Sequence, residues 1–350
     1  MRHSYSDEIS NSTVYIFGRK PPPLGGVSVH IERVAAKLER QGNHVIYFNT
    51  LTEWRYRVFF LYLAYLFFYL LFFSKKNSTW IYHTSYLKNA FLEMKVLVFL
   101  KKIKKIKLIV VEHNCRYILS LQENQVAAYQ EILKCVDRQI FIGTQTKNNF
   151  VARGACAEKT SLEGAFLPPK PEGSRSCMSN YPKELALFMH NHYPIVLANA
   201  SQMAYFKGAD LYGFDQLILA FVQYQKKFCN AGLILMFSRK GDAELYNSLL
   251  ILIEKYGLQK NVFILVGGYL LWPLLKYIDL FVRPAMSDGA SVSVEEALYF
   301  NVPVVASDIG SRPKKCILYP VGNSQKLFMA MCDKRIKLKK CPIITKIVKK

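Results

Sequence analysis

Two acidic residues in the second half of the chain, Asp288 and Glu296, stand in a loop and a predicted helix that follow an apolar segment. An apolar segment ends at Pro284, an Asp-Gly turn follows, and Glu296 comes eight residues after Asp288. We expect the turn to follow a strand and Glu296 to lie on the next helix. A carboxylate can accept hydrogen bonds from both hydroxyls of a ribose, and a helix start can bind diphosphate oxygens. The alternative interpretation is two solvated acids in an ordinary loop and helix.

A glycine pair, Gly25 and Gly26, separates the first predicted strand from the first predicted helix. Glycines let a phosphate approach the backbone, and a helix start offers free N–H groups at the positive end of its dipole. The loop is therefore a second candidate phosphate site. A glycine pair is also found in turns that bind nothing, so this signal is weak by itself.

Apolar strand-like segments alternate with amphipathic segments, which predicts parallel sheets connected by helices. In the first half, strands are predicted at 13–17, 44–49, 79–83, 107–112 and 138–142, and helices at 28–40, 54–73, 87–102 and 126–136. In the second half, strands are predicted at 194–199, 231–237, 261–265, 279–283 and 302–307, and helices near 209–227, 243–256, 269–277 and 291–299. Ligands of such sheets bind beyond the carboxyl ends of the strands, so the loops there are searched first.

A proline- and serine-rich stretch at 168–183 separates the two alternating halves, and its composition sustains neither a helix nor a strand. We therefore predict an α/β protein with two doubly wound, Rossmann-like domains. The first domain is residues 1–170, the linker is residues 171–190, and the second domain is residues 191–350.

The passage that contains Asp288 and Glu296 resembles the signature of retaining glycosyltransferases of family 4, which have the GT-B fold. In that signature, two acids separated by seven residues precede a Gly-x-Pro-Val-Val-Ala strand. The resemblance implies that Glu296 holds the nucleotide ribose and that Asp288 lies beside the donor sugar. It also implies that Ser291 and Val292 give backbone N–H groups to the phosphates. Aspartate at 288 replaces the commoner glutamate, and Asn301 stands where glycine is usual.

Other landmarks of the family occur in the same order within residues 13–320. The Gly25-Gly26 loop resembles the glycine loop near the donor phosphates, and Lys207 resembles the lysine that neutralises the diphosphate. His113 resembles a histidine that often contacts the donor sugar or the acceptor; its alternative is a structural residue at a strand end.

Two further comparisons with the family concern the turn at 144–147 and an absent arginine. Residues 144–147 resemble a small-residue turn after the fifth strand. The family usually has an arginine about five residues before the lysine, where this chain has Gln202. Arg239 and Lys240 are candidates to replace it by position, although surface solvation is the more usual role of such residues.

The chain is strongly basic, with 47 lysines and arginines against 25 acids and a net charge of +22, so its surface attracts polyanions. Nucleic acid is the weaker candidate, because there is no zinc-finger spacing, RNP-like motif or helix-turn-helix pattern. Eight scattered cysteines without a C-x-x-C pair or a cysteine–histidine cluster at ligand spacing indicate a reducing cytoplasm and no metal site. The polar residues 1–13 lack the apolar core of a signal peptide.

Val58–Phe73 is an uncharged run of 16 residues with cationic flanks. A spanning helix usually needs about 20 apolar residues, so the run is slightly short. Three interpretations remain: an aromatic-rich helix in the membrane interface, a buried core helix, and a spanning helix.

Together, the resemblance implies a metal-independent glycosyltransferase whose two domains face each other across a cleft. It would move a sugar from a nucleoside diphosphate sugar to a saccharide with retention of configuration, and would need no cofactor. The basic surface and Val58–Phe73 favour a lipid-linked acceptor and a peripheral position on the cytoplasmic face of an anionic membrane, as in bacterial O-antigen or capsule synthesis. The alternatives are a sugar-nucleotide epimerase of the same fold, which turns over donor without acceptor, and a non-catalytic membrane-associated scaffold, which binds nucleotide poorly.

Overall fold

The computed structural model of the protein contains two compact units. It describes residues 5–21, 25–50, 56–84, 90–114, 116–164, 166–169, 180–288, 291–310 and 312–338. The first unit comprises residues 1–21 and 27–167, and the second comprises residues 22–26 and 168–350. Each unit contains one six-stranded sheet in which every described strand pair is parallel.

The sheet of the first unit has the strand order β2-β1-β3-β4-β5-β6. Its strands are β1 (Thr13–Gly18), β2 (His44–Asn49), β3 (Thr79–Thr84), β4 (Lys107–Glu112), β5 (Arg138–Ile142) and β6 (Thr160–Glu163). The helices are α1 (Gly26–Arg40), α2 (Tyr56–Phe73), α3 (Ala90–Ile103), α4 (Arg116–Ser120), α5 (Glu123–Leu133) and α6 (Thr144–Ala152). Strands β1 and β3 are buried along their whole length, because helices cover both faces of a parallel sheet.

The sheet of the second unit has the strand order β11-β10-β7-β12-β13-β14. Its strands are β7 (Ile195–Ala200), β10 (Gly232–Phe237), β11 (Val262–Val266), β12 (Leu280–Arg283), β13 (Val304–Ser307) and β14 (Ile317–Tyr319), and a separate hairpin pairs β8 (Tyr205–Phe206) with β9 (Ala209–Asp210). The helices are α7 (Lys183–Asn191), α8 (Phe214–Lys227), α9 (Ala243–Lys255), α10 (Val292–Tyr299) and α11 (Ser324–Met331). Apolar clusters pack on both faces of this sheet.

The predicted fold class of two parallel α/β sheets is confirmed, and all ten predicted strands are present within two residues of their expected bounds. Two local predictions were wrong. Residues 144–147 begin helix α6 instead of forming a turn, and residues 269–277 contain only the short 3-10 helix Leu274–Lys276. The linker at 171–190 stays a prediction: its residues 183–190 belong to helix α7, and residues 171–179 lie outside the described part of the chain.

Several described elements have no counterpart among the predictions: the edge strands β6 and β14, the hairpin strands β8 and β9, and the helices α4, α6, α7 and α11. Strand β6 has the sequence Thr-Ser-Leu-Glu and is only partly buried, so it has no apolar run. Strand β14 is three residues long and pairs only with β13 among the described strands. Helix α11 follows β14, and the predicted elements had ended at β13.

Helix α2 has two apolar faces that do different things. The buried face carries Phe59, Leu63, Leu66 and Leu70, whose spacing of four, three and four residues is that of one helical stripe. Six large side chains are 56–71% exposed: Phe60, Leu61, Tyr65, Phe68, Phe72 and Phe73. Others between these two faces, such as Phe67 and Tyr69, are partly buried. One face of the run therefore belongs to the core, and a position of the other face in the membrane interface stays a prediction. Among the described residues, no helix combines the length and apolar character required to cross a bilayer.

Candidate functional site

The second unit places a cluster of charged side chains at the carboxyl edge of its sheet. Arg283 is the last residue of β12, Asp288 lies five residues later, and Arg312 follows β13. Arg283 donates from Nε and Nη2 to the two oxygens of Asp288 at 2.8 and 3.1 Å. Arg312 donates from Nη1 to Oδ2 of the same carboxylate at 2.9 Å. The Asp288 carboxylate therefore accepts hydrogen bonds from two guanidinium groups.

Burial determines what this ion-pair cluster does to Asp288. The side chains of Arg283, Asp288 and Arg312 are 10%, 11% and 2% exposed. Burial by itself raises the pKa of the Asp288 carboxyl, but the two guanidinium groups outweigh that effect, and the pKa lies below its ordinary value. Asp288 is therefore ionised at neutral pH, with hydrogen bonds to both of its oxygens.

Arg283 also connects this cluster to the neighbouring strand. Its Nη1 donates to the Asn199 carbonyl at 2.8 Å, and its guanidinium lies 5.0 Å from the ring centroid of Tyr212. Oδ1 of Asn199 is buried and has no hydrogen-bond partner within the described part of the chain. Arg283, Arg312 and Asn199 were not among the residues predicted from the sequence. The available signal was the arginine at the end of the apolar strand Leu-Phe-Val-Arg.

Lys207 lies at the tip of the β8–β9 hairpin and is exposed. Lys207 and Gly208 form the two-residue loop and have φ angles of +50° and +80°. Positive φ at both loop residues is characteristic of type I′ hairpin turns, whose twist matches that of the strands. The turn therefore explains why a lysine is followed by glycine here, and it presents the ammonium group away from the core.

The hairpin is anchored to the helix that follows it by Asp210. This buried carboxylate accepts hydrogen bonds from the backbone N–H groups of Tyr212 at 2.9 Å and Phe214 at 2.7 Å. Phe214 is the first residue of α8, so the carboxylate satisfies a backbone donor at a helix start. The lysine turn thus stands next to a rigidly fixed chain segment.

Arg239 and Lys240, proposed as replacements for the missing arginine, are exposed in the loop after β10. This loop is joined to the Gln202 segment by two backbone hydrogen bonds, from Arg239 N to Ser201 O and from Met203 N to Lys240 O, at 3.1 and 3.0 Å. Arg239 and Lys240 are therefore held close to the Gln202 segment. No described contact tests whether they replace the missing arginine.

Helix α10 carries the other predicted donor-site residues of the second unit. Ser291 is its N-cap residue, Val292 its first residue, and Glu296 lies in its middle, 3% exposed. The Ser291 side chain does not cap the helix; its Oγ lies 3.1 Å from Oγ of Ser293. The first N–H groups of a helix have no partner within the helix and suit an anion. Gly25 and Gly26 belong to the second unit, which also contains Lys207 and the predicted donor-site residues of α10.

His113 lies at the carboxyl edge of the first unit, directly after β4, and it is not alone there. Its Nε2 is 2.9 Å from Nδ1 of His83, near the end of β3, and His30 of α1 is the third member of the group. The three rings are 8%, 4% and 3% exposed. Burial, and then the other rings, hold the pKa values of His83 and His113 well below the ordinary histidine value. Both rings are therefore neutral at pH 7.

Glu112, the neighbour of His113, belongs to a separate buried network. Its carboxylate accepts hydrogen bonds from Tyr117, from Tyr129 at 2.6 Å and from Gln139 at 3.0 Å. Burial raises the pKa of Glu112 to about 7, although these hydrogen bonds oppose the increase. The Glu112 carboxylate therefore connects β4 with α4, α5 and β5. Its neighbour His113 belongs to the histidine cluster, and Glu112 does not.

Part of the second unit is similar to a known protein family. Residues 202–317 match the family described as "Glycosyl transferases group 1". That range includes Lys207, Arg283, Asp288, Ser291, Val292, Glu296 and Arg312. A protein of Methanocaldococcus jannaschii described as an uncharacterized glycosyltransferase is 34% identical over 111 residues. That match covers 32% of this chain and 26% of the archaeal protein, so the chain spans about a quarter of that relative.

Solved structures match nearly the whole chain. HepE of Anabaena, solved in complex with UDP, superposes with a TM-score of 0.64 at 15% identity, covering 91% of this chain and 89% of that one. The chain has the GT-B fold. A sucrose-phosphate synthase from Thermosynechococcus elongatus gives a TM-score of 0.60 at 15% identity, with 92% and 89% covered. In the GT-B fold of this chain, both candidate sites lie at carboxyl edges of parallel strands, where ligands of open α/β sheets bind.

Proposed function

We propose that the protein is a glycosyltransferase that moves a sugar from a nucleoside diphosphate sugar to a lipid-linked saccharide with retention of configuration. It would act at the cytoplasmic face of the membrane in the synthesis of a bacterial surface polysaccharide, such as O-antigen or capsule. The second unit binds the donor, and the first unit binds the acceptor. Transfer itself uses no metal ion and no cofactor.

The carrying observation is the pair of predicted phosphate-binding elements, the Lys207 turn and the start of α10, which both lie in the second unit within the matched family range. Lys207 is presented by its hairpin turn, and Ser291 and Val292 form the start of α10. When the glycosidic bond of the donor breaks, negative charge develops on the leaving diphosphate. A cation and unpaired N–H groups placed in advance stabilise that charge more than they stabilise the bound donor, which lowers the barrier. Glu296 holds the ribose hydroxyls, and Gly25 and Gly26 let the phosphates approach.

Asp288 acts on the donor through its two arginines, as a positioning residue. Its two oxygens are engaged by Arg283 and Arg312, which leaves one net positive charge in the cluster, from two guanidinium groups and one carboxylate. A positive cluster beside the predicted phosphate site favours an anionic donor. UDP in the complex of HepE, and UDP-glucose in another structure of that protein, make UDP-glucose the first donor to test.

The exposed face of α2 supports a membrane-borne acceptor. The ring centroids of Phe67 on α2 and Phe99 on α3 lie 6.1 Å apart. Phe99 and Ile103, which are 53% and 54% exposed, extend the exposed apolar surface onto α3. Lysines stand exposed at the ends of these helices: Lys75, Lys76, Lys102 and Lys105. Exposed aromatic side chains with a rim of lysines suit a bilayer that contains anionic lipid, which attracts each nearby cation by about 1 kcal/mol.

The first test of the proposed function is a transfer assay with purified protein in detergent. UDP-glucose and other nucleoside diphosphate sugars are combined with polyprenyl-diphosphate-linked saccharides, and released nucleotide and product mass are measured with EDTA present. We expect release of nucleotide that requires both donor and acceptor, and an unchanged anomeric configuration in the product by NMR. Donor turnover without acceptor would identify an epimerase or hydrolase instead, and the absence of binding to every donor would favour the scaffold.

Replacing Phe68 and Phe72 with aspartate is expected to weaken binding to vesicles of phosphatidylglycerol and phosphatidylcholine at least about 10-fold. Each substitution removes an aromatic ring whose burial in the lipid is worth about 2 kcal/mol, and it adds a negative charge that anionic lipid repels. Vesicle co-sedimentation at two salt concentrations measures the change. The matched control is aspartate at Leu250 and Ile251, an exposed apolar pair on α9 of the second unit. Equal binding by the α2 variant and wild type would contradict membrane docking through α2.

A further inference from the structure

The histidine cluster of the first unit has the composition of a metal site. One ring nitrogen from each of His30, His83 and His113 lies within 4.8 Å of the others, and the side chains come from three separate elements. The sequence separations are 53 and 30 residues, so no local spacing motif indicates the cluster. All three rings are more than nine-tenths buried. Nδ1 of His83 and Nε2 of His113 are already in contact, so two of the three candidate ligand atoms are adjacent.

We propose that His30, His83 and His113 bind one divalent transition-metal ion, with Zn²⁺ as the preferred ion. Neutral imidazole is a common ligand of Zn²⁺, Co²⁺, Ni²⁺ and Cu²⁺, whereas Mg²⁺ and Ca²⁺ require oxygen ligands, and this group offers none. Three histidines on a tetrahedral ion leave a fourth position that a water molecule can fill, and the proposed sugar transfer does not use this ion.

The His83–His113 pair requires little adjustment for an ion, and wider separations within the 4.8 Å cluster must close toward about 3.3 Å. Nδ1 of His83 and Nε2 of His113 are 2.9 Å apart, so one ring donates a proton to the other. Two nitrogens on a tetrahedral Zn²⁺ ion lie about 3.3 Å apart, given Zn–N bonds of 2.0–2.1 Å. The pair must therefore separate by about 0.4 Å. The shared proton then moves to the opposite nitrogen of its own ring, so each imidazole stays neutral.

The backbone around the cluster is fixed by the sheet. His83 pairs with Val111 in the register of β3 and β4, and His113 N donates to Thr84 O at 3.0 Å. Gly18 lies at the end of β1, where a Cβ atom would come within 2.7 Å of Ile31 Cδ1 and 3.2 Å of His83 Cβ. The absence of a side chain at position 18 therefore leaves the space that His83 and Ile31 occupy. A site with ligands on fixed elements binds its ion without ordering a loop.

Metal binding is tested directly on full-length protein from which the purification tag has been cleaved. Protein stripped with EDTA and dialysed is titrated with ZnCl₂ by calorimetry, and with CoCl₂ by visible absorption. We expect one Zn²⁺ ion per chain, four-coordinate Co²⁺ bands, and a higher Tm with zinc, because an ion that binds only the folded state stabilises it. His83→Ala with His113→Ala should weaken zinc binding by at least about 100-fold.

Two variants separate loss of ligands from loss of fold. His83→Gln keeps a polar group beside His113 and removes an imidazole, so it should also weaken zinc binding while its circular dichroism matches wild type. His44→Ala removes an exposed histidine of β2 and should bind zinc as wild type does. Binding below one ion per chain in wild type, six-coordinate Co²⁺ bands, or undiminished binding in the double variant would overturn the proposal. These readouts need neither donor nor acceptor, so failure of the proposed function leaves them unaffected.

Discussion

Lys207→Ala is expected to lower kcat/KM for sugar transfer by about 100- to 1000-fold, the effect typical of removing one charge-stabilising group from an active site. Lys207 is exposed at a hairpin tip, where its ammonium has a contact with the Phe206 ring at 5.7 Å. The fold therefore depends little on it, and the free energy of unfolding should change by less than about 0.5 kcal/mol. The main decrease should appear in kcat, because the charge on the diphosphate grows as the bond breaks.

The measurement is a transfer assay at varied donor concentration, accompanied by urea unfolding. Lys207→Arg should recover part of the activity, since it keeps the charge but changes its geometry. Lys255→Ala is the matched control, because Lys255 is an exposed lysine whose ammonium lies 5.7 Å from the Tyr256 ring. If Lys207→Ala retained wild-type kcat, or if Lys255→Ala produced the same loss, the diphosphate role of Lys207 would be wrong.

Asp288→Ala is expected to destabilise the protein by about 3–5 kcal/mol, the range for removing one partner of a buried ion pair. Two buried guanidinium groups would remain with no carboxylate between them. Desolvation then acts on both charges without compensation, so the folded state loses more than the energy of one hydrogen bond. Urea unfolding followed by circular dichroism measures this change, and the Asp288→Ala variant should also lose transfer activity at temperatures where it stays folded.

Controls distinguish the buried cluster from ordinary ion pairs. Asp333→Ala removes an aspartate of the same unit that pairs with Arg335 at 2.8 Å on the surface, and it should change stability little. Asp288→Ala combined with Arg312→Leu should recover part of the lost stability, because one of the two uncompensated charges is gone. A small effect of Asp288→Ala on unfolding would show that the cluster is solvated, and the positioning role would fail with it.

Much of the fold followed from the sequence, because the responsible forces act locally. Runs such as Val14–Phe17 and Leu233–Phe237 are apolar on both faces, as strands of a covered parallel sheet must be. Two of the four edge strands, β6 and β14, escaped prediction, and β6 is half-exposed and needs no apolar run. The 144–147 segment was assigned to a turn by its resemblance to a turn of the family, but α6 begins there and buries Thr146 and Phe150.

The predicted site residues depended on resemblance more than on chemistry visible in the sequence. Lys207, Ser291, Val292 and Glu296 could be named from a motif, and the roles given to them stay predictions. Their environments required the fold. Nothing in the spacing of Arg283, Asp288 and Arg312 shows that one carboxylate engages two buried guanidinium groups. That contact exists because β12 and β13 are neighbours in the sheet and present their carboxyl ends together.

The sequence by itself determined the alternating α/β order, the basic charge, the apolar run of α2 and the motif that points to a nucleotide-sugar enzyme. Tertiary structure decided which face of α2 is buried, and it also decided that Asp288 is a partner of arginines and that three distant histidines meet. The physical reason is that periodicity and turn chemistry are properties of neighbouring residues. Contacts between strand ends arise only when helical crossovers return the chain to the same edge of a sheet.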